Sequence, residues 1–156
     1  MKGKEDDLIL SYLRNNSRIT LTNLSKKTNV PVSTLHERMK RYKKQFITKH
    51  TSLIDFKKLG YNSKARVLLK VKKEERERLK EQLRHCPFLN ELCKINNGYD
   101  FMAEFVCNHM KELEEYLDNL EEKYAIIKQE VYYIVDDIQK ESFLSKPHLL
   151  LFGKKR

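Results

Sequence analysis

The sequence is poor in the residues that mark disordered, fibrous or disulfide-bonded proteins. Its 156 residues include 4 glycines, 3 prolines, 3 cysteines and no tryptophan. So few glycines and prolines, without a low-complexity stretch, exclude a disordered chain over most of the length. With 40% hydrophobic residues, the chain suits one ordinary domain or two small ones.

The cysteines and apolar runs exclude further classes. Cys86, Cys93 and Cys107 are an odd number and lack the C-x-x-C spacing of zinc sites or redox motifs. We expect them to be packing residues in a reducing compartment, with no metal site and no cofactor. No apolar run approaches the roughly 18 residues of a membrane span, and residues 1–7 lack a signal-peptide core. A cytoplasmic protein with no membrane partner is therefore expected.

Positive charge is concentrated in the first part of the chain. Residues 1–60 contain 14 Lys and Arg against 5 Asp and Glu, whereas residues 61–156 contain 18 against 17. This asymmetry is expected when one part contacts a polyanion and the other has a different role. The alternative is a solvated lysine-rich surface.

Apolar spacing of three and four residues predicts three short helices at the start of the chain. The first spans residues 6–14, the second is capped by Thr20, and the third begins at Pro31. Their apolar positions are Leu8, Ile9, Tyr12, Leu13, Leu21, Leu24, Leu35, Met39 and Tyr42. Short helices with a tight turn between the last two are typical of a helix-turn-helix.

A helical wheel of the third helix separates an apolar stripe from a face rich in hydroxyls and cations. Such a face suits a helix that enters the major groove, with early side chains on base edges and later cations on phosphates. The alternative is an ordinary helix with a solvated basic face. We assign base reading to Ser33, Thr34, Glu37 and Arg41. The full set of candidate DNA-binding residues is Ser33, Thr34, His36, Glu37, Arg38, Lys40, Arg41, Lys44 and Lys49.

β-Branched and aromatic residues at 46–51, followed by 53–56, predict a short strand pair that forms a wing. Lys49 and His50 would then contact the DNA backbone beside the recognition helix. The first part of the chain is therefore predicted to be a winged helix-turn-helix that binds double-stranded DNA.

The second half reads β-α-β-β-α-β, an α+β ferredoxin-like fold with both helices on one sheet face. The predicted elements are a strand from residue 63, a helix over 73–86, strands at 92–95 and 101–106 around an Asn97-Gly98 turn, a helix over 110–124 and a strand over 127–135. Tyr132 and Ile134 are expected on the uncovered face, which we predict to be apolar and to form a homodimer.

Three segments result from this division: a DNA-binding domain and linker at 1–60, a ferredoxin-like domain at 61–138, and a tail at 139–156. The apolar tail is expected to dock on the body or on a partner subunit. The cations of residues 153–156 are either solubility residues or a phosphate contact.

Several strings resemble the Lrp/AsnC family of bacterial and archaeal regulators over residues 5–137. They are Asn16-Ser17-Arg18-Ile19, Leu24-Ser25, Val30-Pro31-Val32-Ser33-Thr34, Arg38-Met39-Lys40-Arg41, Ile54-Asp55-Phe56-Lys57-Lys58-Leu59-Gly60 and Asn97-Gly98-Tyr99-Asp100. The resemblance implies dimers through the ferredoxin-like domains, often assembled into tetramers or octamers, on a pseudo-palindromic site. In members that sense amino acids, it implies an effector near Gly98, Tyr99 and Asp100. Other members have no known effector, and plain turn chemistry also explains Gly98 and Asp100.

The leading function is therefore a sequence-specific, nucleoid-associated transcription regulator without catalytic residues. One alternative is an architectural protein that compacts DNA with little sequence preference. Another is an enzyme like the sirohaem decarboxylases that share this two-domain plan. The latter requires clustered histidines in the second half, but His85, His109 and His148 show no ligand-like spacing.

Overall fold

The computed structural model describes residues 3–152, with side chains as far as residue 150. The chain divides into two compact units. The first comprises residues up to Leu53 and those from Ile138 onward, and the second comprises Ile54–Asp137. The sequence-based segments had placed the first boundary at 60/61 and treated the tail separately.

The first unit is built on three helices, as predicted. They are α1 (Lys4–Asn15), α2 (Leu21–Thr28) and α3 (Val32–Gln45). Their buried core consists of Ile9, Leu13, Leu24, Val30, Leu35 and Tyr42. The Thr20 hydroxyl accepts the Asn23 N–H at 3.2 Å, and Asn29 ends α2 in the left-handed region at φ 57°. These local signals place α2 and α3 in a helix-turn-helix.

The predicted pair of wing strands is wrong in detail. Between residues 46 and 56, all of which the structure describes, no strand forms. Phe46 continues the turn of α3, because its N–H donates to the Tyr42 carbonyl at 2.9 Å. Leu53 and Ile54 remain exposed, so nothing buries one face of a hairpin here. An isolated two-stranded hairpin is only marginally stable, which explains why strand-forming residues alone were insufficient.

The second unit has the predicted β-α-β-β-α-β order. Its elements are β1 (Ser63–Val71), α4 (Arg76–Arg84), β2 (Leu89–Lys94), β3 (Phe101–Cys107), α5 (Met110–Lys123) and β4 (Ile126–Tyr133). The strands form an antiparallel sheet in the order β2-β3-β1-β4. Alternate β1 residues pack with Leu79 of α4 and Leu113 of α5 in one core, so both helices cover the same sheet face.

The opposite sheet face, called the ionic sheet face below, carries a charge cluster among Leu68, Met102, Val106 and Tyr132, so it is less apolar than predicted. Arg66 of β1 lies opposite Glu104 on β3 and Tyr132 on β4. Glu104 is only 5% exposed. Its carboxylate accepts from Arg66 at 3.1 Å and Asn90 at 2.7 Å, and it lies 3.5 Å from the Lys64 ammonium. Apolar alternation on β1 therefore identified its core-facing side, while the other side carries a compensated charge cluster.

The tail docks on the first unit. Its short helix α6 (Pro147–Phe152) packs against α1, and Glu141 forms an ion pair with Arg14. The cations predicted at 153–156 lie outside the described residues. Within residues 3–152, no helix has both the length and the apolarity needed to cross a bilayer.

Candidate DNA-binding surface and hairpin site

The candidate reading face lies on the side of α3 away from the first unit's core. Ser33, His36, Glu37, Lys40 and Lys44 are exposed there. Thr34 is half-buried beside Leu35, and Lys49 is exposed in the extended segment after α3. With Arg41, which is also exposed, seven of the nine candidate residues face solvent on or directly after α3.

Glu37 lies within this positive face with its charge compensated. Its carboxylate accepts from the Lys40 ammonium at 3.1 Å and lies 3.4 Å from His36 Nδ1. The hydrogen bonds from Lys40 and then His36 lower the pKa of Glu37. An ionised, exposed carboxylate is an acceptor for the amino group of cytosine in the major groove.

The two arginines of α3 point toward α1, a contact that a helical wheel cannot show. Arg41 donates to Asp6 Oδ1 at 2.8 Å, and Arg38 donates to Glu5 at 2.6 Å. The Arg41 guanidinium also lies 5.4 Å from the centre of the Tyr42 ring. Arg41 is 46% exposed and Arg38 is 24% exposed, so Arg41 retains the larger open surface of the two.

Asp6 is the fixed centre of this contact. The Tyr42 hydroxyl donates to Oδ1 at 2.5 Å, and the Gly3 N–H donates to Oδ2 at 3.4 Å. Burial raises the pKa of Asp6, but these hydrogen bonds and the charges of Arg41 and Arg38 outweigh burial and leave it lowered. Burial and Asp6 together raise the pKa of Tyr42 to about 12. At neutral pH the pair is therefore a carboxylate and a neutral phenol.

The predicted hairpin turn is present in the second unit. Asn97 and Gly98 have φ values of 61° and 92°, which matches the positive φ at both central positions of a type I′ turn. Asp100 is buried, and its Oδ2 accepts the Val71 N–H at 3.1 Å. Its Oδ1 lies 2.8 Å from the Arg76 guanidinium. Asp100 thus has a structural role in holding the hairpin against β1.

Polar groups gather beside this hairpin. Lys128 on β4 lies 4.7 Å above the Tyr99 ring and 2.8 Å from Glu130. The hydrogen bond from Lys128, with further bonds from tyrosines, lowers the pKa of Glu130 to about 2. In the part of the chain described, buried Arg76 Nε and Gln129 Oε1 have no hydrogen-bond partner. Buried polar atoms without partners are uncommon and are candidates for ligand contacts.

Comparison with known proteins agrees with this geometry. A family model described as winged helix-turn-helix DNA-binding matches residues 7–45. Escherichia coli AsnC has the same fold, with a TM-score of 0.80 at 20% identity over 90% of this chain and 96% of that one. A Neisseria meningitidis regulator solved with L-methionine has a TM-score of 0.83 at 17% identity over 91% and 95%.

A curated relative decides the family. The HTH-type transcriptional regulator FL11 of Pyrococcus furiosus is 31% identical over 122 residues, which cover 76% of this chain and 81% of FL11. The chain belongs to the Lrp/AsnC family. Bacillus subtilis AzlB, also a transcriptional regulator, is 28% identical over 81% of this chain and 83% of its own length. The resemblance read from the sequence strings is confirmed, and this Lrp/AsnC protein is a DNA-binding transcription regulator.

The sequence pattern did not indicate the acidic residues at the start of α1 that contact α3 in this Lrp/AsnC protein. Glu5 and Asp6 were not among the predicted contacts, yet they bind the arginines of α3. The missed signal was modest: three acidic residues at the start of α1 in an otherwise basic segment. Lys26 and Lys27, which end α2 and are exposed, were also absent from the predicted contacts.

Proposed function

We propose that this regulator reads discrete DNA sites with α3 and acts as a homodimer. The observation that carries the proposal is the exposed face of α3, where hydroxyls, a compensated carboxylate and cations share one side of a helix-turn-helix helix. Ser33, Thr34, Glu37 and Arg41 are proposed to contact bases. Contacts to the DNA backbone are proposed for His36, Arg38, Lys40, Lys44 and Lys49.

Binding to a selected site and to random duplex at the same salt concentration tests this proposal. Fragments bound by the full chain are selected first, and affinities are then measured by fluorescence anisotropy. We expect a specificity ratio on the order of 10³ or more. A ratio below about ten would instead favour an architectural, DNA-compacting protein that depends on phosphate contacts.

Lys44→Ala and Lys111→Ala form a matched pair for the backbone contacts. Lys44 is exposed on α3, and Lys111 is exposed on α5. Loss of one phosphate contact should reduce the slope of log affinity against log salt by about 0.9. We expect that change for Lys44→Ala and none for Lys111→Ala; equal slopes in both variants would remove Lys44 from the interface.

Dimerisation is proposed through the ionic sheet face of the second unit. One DNA-binding unit with a few base contacts seldom binds a unique genomic site tightly enough. Two such units on a pseudo-palindromic site provide the required affinity. Tetramers or octamers of such dimers are the proposed higher assemblies. Light scattering of the full chain measures the state, and a monomer at micromolar concentration would contradict the proposal.

An amino-acid effector is proposed at Gly98, Tyr99 and Asp100. Support comes from two buried atoms without a hydrogen-bond partner, Nε of Arg76, whose guanidinium lies 2.8 Å from Asp100, and Oε1 of Gln129 on β4, which suit a polar ligand. Thermal unfolding with each amino acid in turn is the test. A ligand at 100 times its Kd stabilises the fold by about 2.7 kcal/mol, and Gln129→Leu should weaken that effect. No stabilisation by any amino acid would place this protein among members without an effector.

A non-enzymatic role at the nucleoid, in the cytoplasm, completes the proposal. FL11 and AzlB are named as regulators. Within residues 3–152, no three His, Cys, Asp or Glu side chains are grouped to hold a metal ion. Purified protein should show no tetrapyrrole absorbance; such an absorbance would revive the decarboxylase-like alternative.

A further inference from the structure

A buried carboxylate from one helix holds a half-exposed arginine on the recognition helix. Asp6 of α1 is only 6% exposed. It accepts from Tyr42 at 2.5 Å and from Arg41 at 2.8 Å, and its Oδ1 also lies 3.7 Å from the Arg38 guanidinium. Both donors lie on α3, so Asp6 joins α1 to the helix proposed to read DNA.

The hydrogen bonds of Asp6 make it a rigid anchor. Its second oxygen accepts the Gly3 N–H, and its first is bound by the core tyrosine of α3. Arg41, by contrast, lies at the edge, with nearly half of its side chain open to solvent. A guanidinium has five N–H donors in a planar fork. Donors that do not face Asp6 are therefore available in a fixed orientation.

We propose that Asp6 is a positioning residue that orients Arg41 for guanine recognition in the major groove. This inference rests on the proposed function. Guanine presents two acceptors, O6 and N7, that match a planar guanidinium. The carboxylate also offsets the Arg41 charge, which limits attraction to phosphates of any sequence. Asp6 thereby favours base reading over non-specific binding.

The charge and the position of the carboxylate are separated by two variants. Asp6→Asn keeps an oxygen acceptor for Tyr42 but removes the charge. We expect tighter binding to random duplex, a salt slope steeper by about 0.9, and a specificity ratio lowered about tenfold, the effect of one lost bidentate base contact. Asp6→Glu keeps the charge but moves the carboxylate by one methylene. The ratio should then fall while the salt slope is unchanged.

Matched controls distinguish positioning from charge and stability. Glu5→Gln removes the same charge from the neighbouring Arg38 pair and should change affinity for selected and random duplexes equally. Tyr42→Phe removes one of the hydrogen bonds that fix Asp6 but keeps its charge, so it should lower the melting temperature and lower the ratio by less than Asp6→Asn, while the salt slope stays unchanged. Circular dichroism melts establish that each variant is folded.

Double mutants complete the test. If Asp6 acts through Arg41, Asp6→Asn should not lower the ratio further in an Arg41→Ala background. An unchanged ratio in both Asp6 variants would overturn the inference, as would an undiminished effect without Arg41. If the unmodified protein itself discriminates less than tenfold, the proposed function fails, and the inference fails with it. If the unmodified protein has the expected specificity ratio and the Asp6 variants have the same ratio, only the positioning role of Asp6 is refuted.

Discussion

Asp100→Ala should destabilise the second unit. The larger part of the loss should come from the missing hydrogen-bond acceptor and the smaller part from the missing ion pair. The Asp100 carboxylate is the acceptor for the buried N–H of Val71. Leaving a buried N–H without an acceptor costs about 1–3 kcal/mol. The ion pair adds less, because the side chains of Arg76 and Lys70 are 35% and 30% exposed. Solvent screening limits this part to at most about 1 kcal/mol. We therefore expect a loss of about 1–4 kcal/mol in the free energy of unfolding.

Asp100→Asn separates the two contributions, because its amide oxygen still accepts from Val71. This variant should lose about 1 kcal/mol or less, the ionic part alone. Asp118→Ala, an exposed aspartate on α5, is the control and should change stability by less than about 0.5 kcal/mol.

Urea unfolding followed by far-UV circular dichroism and tyrosine fluorescence measures these differences; the chain has 8 tyrosines and no tryptophan. The reasoning is refuted if Asp100→Ala unfolds like the unmodified protein. Equal losses in Asp100→Asn and Asp100→Ala would show that charge, and not the acceptor for Val71, holds the hairpin.

Two further predictions address the separate cores and the ionic sheet face. Leu35→Ala should cost about 2–5 kcal/mol in the small first core and abolish DNA binding, while size-exclusion chromatography shows an unchanged oligomeric state. Leu79→Ala should destabilise the second unit instead, and identical effects of the two substitutions would contradict separate cores. Burial raises the pKa of Glu104, but bonds from Asn90 and Arg66 leave it below the ordinary 4.5. Its stabilisation is therefore present above about pH 4.5 and lost as pH falls through its folded pKa. Glu104→Gln should flatten this acid dependence of the urea midpoint, and an unchanged dependence would assign it to other groups.

Local signals predicted most of the fold. Thr20 as a cap, Asn97-Gly98 as a turn and the alternation from Ala65 to Val71 each depend on residues within a few positions of one another. Their consequences follow from backbone geometry and side-chain periodicity. The order of strands and helices could then be read directly along the chain.

Contacts between distant residues were not predictable in the same way. Arg41 and Asp6 are separated by 35 positions, and no periodicity within α3 indicates which neighbour its flank will meet. The predicted wing strands were wrong for a related reason, since strand propensity at 46–56 has no effect without a surface to pack on. On the open sheet face, Glu104 neutralises β1 cations through cross-strand register, which sequence spacing alone does not reveal.

The return of the tail to α1 means that the DNA-binding unit is discontinuous in sequence. The chain leaves this unit after Leu53 and re-enters it at Ile138. A single protease cut at either crossing would therefore not separate the two units, because the other crossing stays covalent and the two segments of the first unit remain packed together. A fragment ending at residue 53 would lack α6 and would expose the α1 surface that α6 covers. Transfer of the DNA-binding unit to another protein therefore requires both segments. Deletion of the tail alters this unit as well as the end of the chain.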